Sequence, residues 1–494
     1  MDTTMSEVVQ FIQENDVKFI RLAFCDIFGN QKNIAIMPTE LERAFEQGIH
    51  FNAAALRGFL NVEASDLLLF PDPATLSVLP WRPAQGRVVR FYCDIRYPDG
   101  TPFEGDGRHL LREANRRARR AGYSLTMGTA SEFYLFELDE NGHPTTIPHD
   151  HGEYFDVAPL DKAENVRRQI CLTLEEMNIQ PESSHHEQGP GQNEVDFRYA
   201  EALEAADNFV TFKWVVKSMA SSSGLFASFL PKPLQNTPGS GLHLAVSITK
   251  NGQNLFHPSI EESEEGRQFV AGVLRRAAEM TIFGNPLTNS FQRLGEFEAP
   301  KYITWSHQNR APLITVPLAT GGKPNRFKLR SFDGCINPYI VFALLIWTAS
   351  RTGSSLRLRA RKTCSPRARR SAPDMMRCPS RCARPSAPHR TATLSQNICP
   401  KRCAQPFSPP SRPSMTASRW PTTALLPSVS FTSNATDTIE RRGNAFHGTY
   451  SCRFLDRKNT CDARAVPVLL RCAVAAVPCD GRQRSAPRTR GRRI

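Results

Sequence analysis

Apolar positions in the first hundred residues switch between two periods. Residues 6–15 place Val8, Val9, Phe11 and Ile12 at helical spacing, whereas residues 18–36 alternate through Phe19, Leu22 and Phe24, turn at Gly29-Asn30 and return. The first pattern predicts a helix and the second a hairpin. A second helix is expected from Pro38-Thr39, with Thr39 as N-cap and Glu42 three residues on. Short strands follow at 66–70 and 87–93, completing a compact α+β unit over residues 1–100.

From Gly107 the pattern lengthens. Basic helices at 108–121 and 162–176 alternate with apolar strands, and a further helix is predicted over 209–222. Residues 127–136 alternate around aromatics, which makes a half-buried strand that points Glu132 to one face. Another alternating run, 244–248, follows His243 and the flexible loop Gly239-Ser240-Gly241. Pattern alone gives a mixed α/β domain over residues 107–346. After Ile346, Arg, Pro, Ser, Ala and Cys dominate and no period persists, so the plain expectation for 347–494 is a disordered tail.

The densest chemistry lies at 183–196, Ser-Ser-His-His-Glu-Gln-Gly-Pro-Gly-Gln-Asn-Glu-Val-Asp. Gly189-Pro190-Gly191 breaks any helix, so Glu187 and Glu194 can face each other across a bend. Facing carboxylates suit a hard divalent cation such as Mg²⁺ or Mn²⁺, and Glu132 can supply a third oxygen donor. Taken singly, each residue has a plainer reading: an acidic surface turn, a hydrogen-bonded strand histidine at His243, salt-bridged arginines at Arg293 and Arg310.

Charge changes the picture less than its total suggests. The formal net charge is +14, but residues 347–494 hold 29 Lys and Arg against 6 Asp and Glu, and the remainder holds 33 against 42. Only the tail is basic, which argues against nucleic acid as the partner of the folded part. Cys25, Cys93, Cys171 and Cys335 are scattered singly, as in reduced proteins, while the other nine of 13 cysteines follow Trp347. With no long apolar stretch and no leader-like N-terminus, a soluble cytoplasmic protein is expected, without membrane contact.

Further motifs occur in order: Lys232-Pro233, Gly239-Ser240-Gly241-Leu242-His243, Asn285-Pro286-Leu287-Thr288-Asn289-Ser290-Phe291-Gln292-Arg293-Leu294, Glu298-Ala299-Pro300, Asn309-Arg310-Ala311-Pro312 and Arg326-Phe327-Lys328-Leu329-Arg330. With His-His-Glu and Gly-Gln-Asn-Glu they closely resemble type I glutamine synthetase, from about Val17 to Ile346. The resemblance implies a β-grasp domain followed by a catalytic split antiparallel barrel. It also implies ligation of ammonia to glutamate with ATP through γ-glutamyl phosphate, and a ring-shaped homo-oligomer, a dodecamer in the family, with sites between subunits. By position, Glu132, Glu187 and Glu194 would hold one Mg²⁺ or Mn²⁺, and Arg293 and Arg330 would clamp glutamate. Arg310 would stabilise the transferring phosphoryl group, Gly239 would lend backbone to the substrate, and Ser247 would lie near the nucleotide. Glu298 would close the site and accept a proton.

The departures are specific. The family's second metal is held by two glutamates and a histidine; His243 keeps the histidine, but Ala130 and Lys328 stand at the glutamate positions, and Lys328 could replace part of the ion's charge on the phosphates. Asn52 stands where a neighbouring subunit's aspartate would meet ammonium, Thr315 where an arginine would lie near the nucleotide, and Pro238 where the glycine loop has asparagine. These leave open a γ-glutamyl ligase for another amine, or a non-catalytic glutamate or nucleotide binder. Codons for 346–355 and 397–403, read back one nucleotide, can spell family-like segments, so a frame-disrupted tail is expected.

Overall fold

The computed structural model describes residues 5–317 and 325–350. Of the expected frame-disrupted tail, residues 347–350 belong to the last helix, and residues 351–494 lie outside the described residues.

The N-terminal part is a β-grasp. Helix α1 (Met5–Glu14) precedes β1 (Val17–Cys25) and β2 (Gln31–Ile36), the predicted hairpin; α2 (Leu41–Glu46), β3 (Ile49–Asn52), β4 (Asp66–Pro71), β5 (Ser77–Val78) and β6 (Arg87–Arg96) follow. The strand order is β2-β1-β6-β4-β3, with β5 on β6, and the central β1–β6 pair is parallel. Val8 and Ile12 of α1 pack with Ile20, Leu22, Val89 and Phe91 in one apolar core. Thr39 does not cap the second helix. Pro38–Glu40 instead form a 3₁₀ turn and Glu40 precedes α2 without a side-chain cap bond, because Pro38 fits the first turn and draws its start forward.

The second part is built on an 11-stranded sheet. Its strands are β7 (Tyr123–Leu138), β8 (Pro144–Pro148), β9 (Pro181–His186), β10 (Gln192–Phe197), β11 (Ala200–Glu201), β12 (Leu225–Ser228), β13 (Leu242–Lys250), β14 (Gln253–Asn254), β15 (Tyr302–Ser306), β16 (Pro312–Thr315) and β17 (Phe327–Leu329). The main path runs β15-β16-β17-β13-β7-β10-β9, antiparallel except at β15–β16. Helices α3 (Gly107–Arg120), α4 (Glu164–Glu176), α5 (Ala202–Ser222), α6 (Glu264–Gly284), α7 (Ser290–Arg293) and α8 (Pro338–Ser350) complete it. Helix α5 starts seven residues before the expected 209 because Glu201 caps it, accepting from Leu203 N at 2.9 Å, and Ala-rich residues 202–206 carry no period to read.

Alternation along these strands separates core from site. Met127, Phe133 and Leu135 on β7, Val195 and Phe197 on β10, Leu242, Leu244 and Val246 on β13, and Phe327 and Leu329 on β17 join the helices in the main core. Each fully buried side chain of this kind contributes about 1.5–3 kcal/mol. The intervening residues, Glu132, Glu194, Asp196, His243 and Lys328, therefore share the opposite face. Arg108 on α3 ties the two parts together, donating to Asp207 on α5 at 2.9 Å and pairing with Asp72 and Asp94 at 2.9 and 3.3 Å.

Candidate active site

Register brings the carboxylates together. Glu194 pairs directly with Glu132 on one side and with His185 on the other, and Gly189-Pro190-Gly191 turns the chain so that Glu187 N reaches Gln192 O at 2.8 Å. Donor atoms of His185, Glu187 and Glu194 lie within 4.8 Å of one another. His185 Nε2 sits 3.0 Å from Glu187 Oε1. The sequence reading passed over His185, although its place opposite Glu194 follows once β9 and β10 are paired. Behind it, fully buried His186 holds the bend, with Nε2 2.8 Å from Asp150 Oδ1 and Nδ1 2.6 Å from the Glu187 carbonyl.

Glu132 stands beside this set with one oxygen committed. Oε2 accepts from Gly241 N at 3.0 Å and Gln192 Nε2 at 2.9 Å, while Oε1 is 4.0 Å from His243 Nε2. Burial, with help from the Glu187 charge, raises the Glu132 pKa to about 7 despite the opposing Arg293. Glu194, 7 % exposed, is raised well above its ordinary value by burial and then by Glu132, Asp196 and Glu187. Among the described residues no Lys or Arg forms a hydrogen bond or ion pair with Glu132, Glu187 or Glu194, and these oxygen donors with one imidazole beside them fit a divalent ion.

The other half is cationic. Arg293, 3 % exposed, donates Nη1 to the Ser331 and Phe332 carbonyls at 3.1 and 3.2 Å and Nη2 to the Arg330 carbonyl at 3.2 Å. Glycine is required beside it, since a Cβ on Gly241 would stand 2.3 Å from Nη2 and one on Gly239 would stand 2.4 Å from the Pro231 carbonyl. The glycine loop is tied by Tyr134 Oη, which donates to the Pro238 carbonyl at 2.6 Å, and by Gln192 Nε2 on the Gly239 carbonyl at 3.3 Å. Arg330, 7 % exposed, has a buried Nε without a hydrogen-bond partner. Arg310 Nη1 donates to Glu298 Oε2 at 2.8 Å; burial works to raise the Glu298 pKa, but Arg310 outweighs it and holds the acid ionised. His243 is kept neutral, its pKa pushed well down by burial and by Arg330, Arg293, Lys328 and Arg310.

Two residues stand apart. Asn52, on β3, accepts from Ala54 N at 3.0 Å and has no described contact with the carboxylates. Ser247 donates to the Asn325 carbonyl at 3.0 Å and accepts from Asn254 Nδ2 at 2.9 Å, so it anchors the segment leading into β17.

Two family models match the chain, the glutamine synthetase β-grasp domain over residues 16–98 and the glutamine synthetase catalytic domain over residues 104–376. The chain belongs to the glutamine synthetase family. It is 47 % identical over 347 residues to a glutamine synthetase of Clostridium saccharobutylicum, covering 69 % of this chain and 78 % of that one. One from Methanosarcina mazei is 47 % identical over 348 residues, covering 70 % and 78 %. Among solved structures, the cryo-EM glutamine synthetase of Plasmodium falciparum aligns with TM-score 0.65 and 25 % identity over 70 % of this chain and 74 % of that one. A GmaS/ADP complex aligns with TM-score 0.64 and 28 % identity over 70 % and 81 %. Within this glutamine synthetase fold, Ala130 pairs with both Asp196 and His243, and Lys328 pairs with Ala245 and Thr315.

Proposed function

We propose that this chain joins ammonia to the γ-carboxylate of glutamate with consumption of ATP, through γ-glutamyl phosphate, at the sheet face that carries both acids and arginines. The observation that carries this reading is one anion-rich and one cation-rich half meeting at His243. Glu187, Glu194 and the free oxygen of Glu132, with His185 beside them, are the residues that would hold Mg²⁺ or Mn²⁺. When bound, such an ion neutralises and polarises carboxylate and phosphate oxygens.

The chain's own residues account for the rest. Arg293, with three N–H groups fixed on carbonyls, keeps Nε and one Nη2 hydrogen for a substrate carboxylate, and Arg330 offers its unpaired Nε. The main chain of the Gly239 loop borders the same place. Arg310 is set to meet charge developing on a transferring phosphoryl group. Glu298, ionised and half-exposed, would screen the acyl phosphate from water and take a proton from the incoming nitrogen. Lys328 would contact nucleotide phosphates, with Ser247 positioning its strand through Asn325. We place the enzyme in the cytoplasm as a homo-oligomer in which Asn52 of one copy faces the site of the next.

The test is ATP- and ammonia-dependent formation of glutamine by the purified chain, lost in Glu187→Gln and Arg293→Met while the fold persists. A second reading, ligation to a bulkier or uncharged amine, rests on Asn52 carrying no charge to attract ammonium. A panel of amines separates the two, since preference for an alkylamine over ammonia would favour the second.

A further inference from the structure

We infer that Lys328 is a tethered cation standing in for a second divalent ion, so that each site takes one divalent ion and binds nucleotide phosphate through the Lys328 ammonium. This rests on the reading of the site as an ATP-dependent ligase and specifies how that site grips its nucleotide.

The donor set argues first. On the site face, the row through His243 runs Asp196, Ala130, His243, and the adjacent row runs Gly128, Ala245, Lys328, Thr315. The two alanines carry no donor, and the place above Gly128 is filled by the Tyr199 ring, whose Cδ1 lies 2.3 Å from where a Cβ would be. The segment 318–324, Leu-Ala-Thr-Gly-Gly-Lys-Pro, contains no acid and no histidine. In that row His243 offers a neutral nitrogen and Asp196 a carboxylate two strand spacings, about 9–10 Å, away, and Arg330, Arg293, Lys328 and Arg310 all press positive charge on His243. A hydrated divalent ion has no reason to shed water there.

Charge argues second. The Lys328 ammonium forms no hydrogen bond or ion pair among the described residues, yet it is half-buried, and Asp196 and Glu194 are the acids that act on it. Asp196 accepts from Ser183 Oγ at 2.9 Å and has a buried Oδ1 without a partner. Lys328's direct cross-strand neighbours, Ala245 and Thr315, carry no charge that could pair with the ammonium.

The test counts ions. The metal-free full-length protein, dialysed against saturating Mn²⁺ without nucleotide, should retain one ion per chain, and Ala130→Glu with Lys328→Glu should retain two. Lys328→Met should weaken binding of a non-hydrolysable ATP analogue about tenfold or more without changing the ion count, and Lys328→Arg should restore most of it. The ion count of the unmutated protein stands whether or not the variants fold. Two ions per chain would overturn this inference alone, and a return to one in Asp196→Asn would assign the second ion to Asp196 and His243. Zero ions would overturn the metal reading of the site and the inference with it. Unchanged nucleotide affinity in folded Lys328→Met would also overturn the inference.

Discussion

Metal uptake should expel protons, in an amount set by the buried carboxyls. In the metal-free protein the Glu132 pKa lies at about 7 and that of Glu194 well above its ordinary value, burial being the larger cause for both. At about pH 6.5 a group with a pKa of about 7 is about three quarters protonated, and Glu194 is shifted in the same direction. An ion that takes both as carboxylates should therefore release protons, at least about three quarters of one from Glu132 at about pH 6.5, and that share should fall as pH rises past about 7. Stability follows the same linkage. Because the folded pKa of Glu132 exceeds the unfolded value of 4.5, the metal-free fold binds the extra proton, and its stability falls as pH rises from 4.5 to about 7. That span, at about 1.4 kcal/mol per unit, amounts to about 3 kcal/mol. Titration calorimetry with Mn²⁺ in two buffers of different ionisation enthalpy reads the protons, and urea melts across the same range read the stability. Buffer-independent heats with a flat pH profile would refute the reasoning.

Other outcomes follow from local geometry. Gly241→Ala puts a methyl 2.3 Å from Arg293 Nη2 and should raise the glutamate KM about tenfold or more, with a smaller change in kcat, measured by steady-state kinetics. Arg108→Met leaves buried Asp207 without its arginine, while Arg112 still pairs with Asp72 and Asp94, and should cost about 3 kcal/mol, read from the urea midpoint. Glu298→Gln breaks a half-exposed pair with Arg310 and a looser one, at 3.9 Å, with Arg330, so stability should move by less than about 1 kcal/mol while glutamine formation drops about a hundredfold.

The alternation that makes the sheet was legible from the sequence: the strand through Glu132, the strand after His243 and the bend between Glu187 and Glu194 all stand where the period put them. Pairing was not legible. That Glu132 meets Glu194, and that Asp196 lies across from Ala130, depends on registers between strands some sixty residues apart, which no local pattern encodes. For the same reason His185 was read only as part of a motif, and the hydrogen bonds of Ser247 with Asn325 and Asn254 could not be seen. Thr39 failed as a cap because Pro38 took over the turn. The Arg108 network was invisible, since a basic residue opening a basic helix looks solvated until Asp72, Asp94 and Asp207 converge on it.

The central claim is that strand register gathers acids from three places in the chain around one divalent ion. Anomalous diffraction at the manganese edge from crystals soaked in Mn²⁺ tests it directly. The account predicts a strong peak in bonding contact with Glu187, Glu194 and Glu132 or His185; an intact fold with those side chains as they are and no peak between them would contradict it.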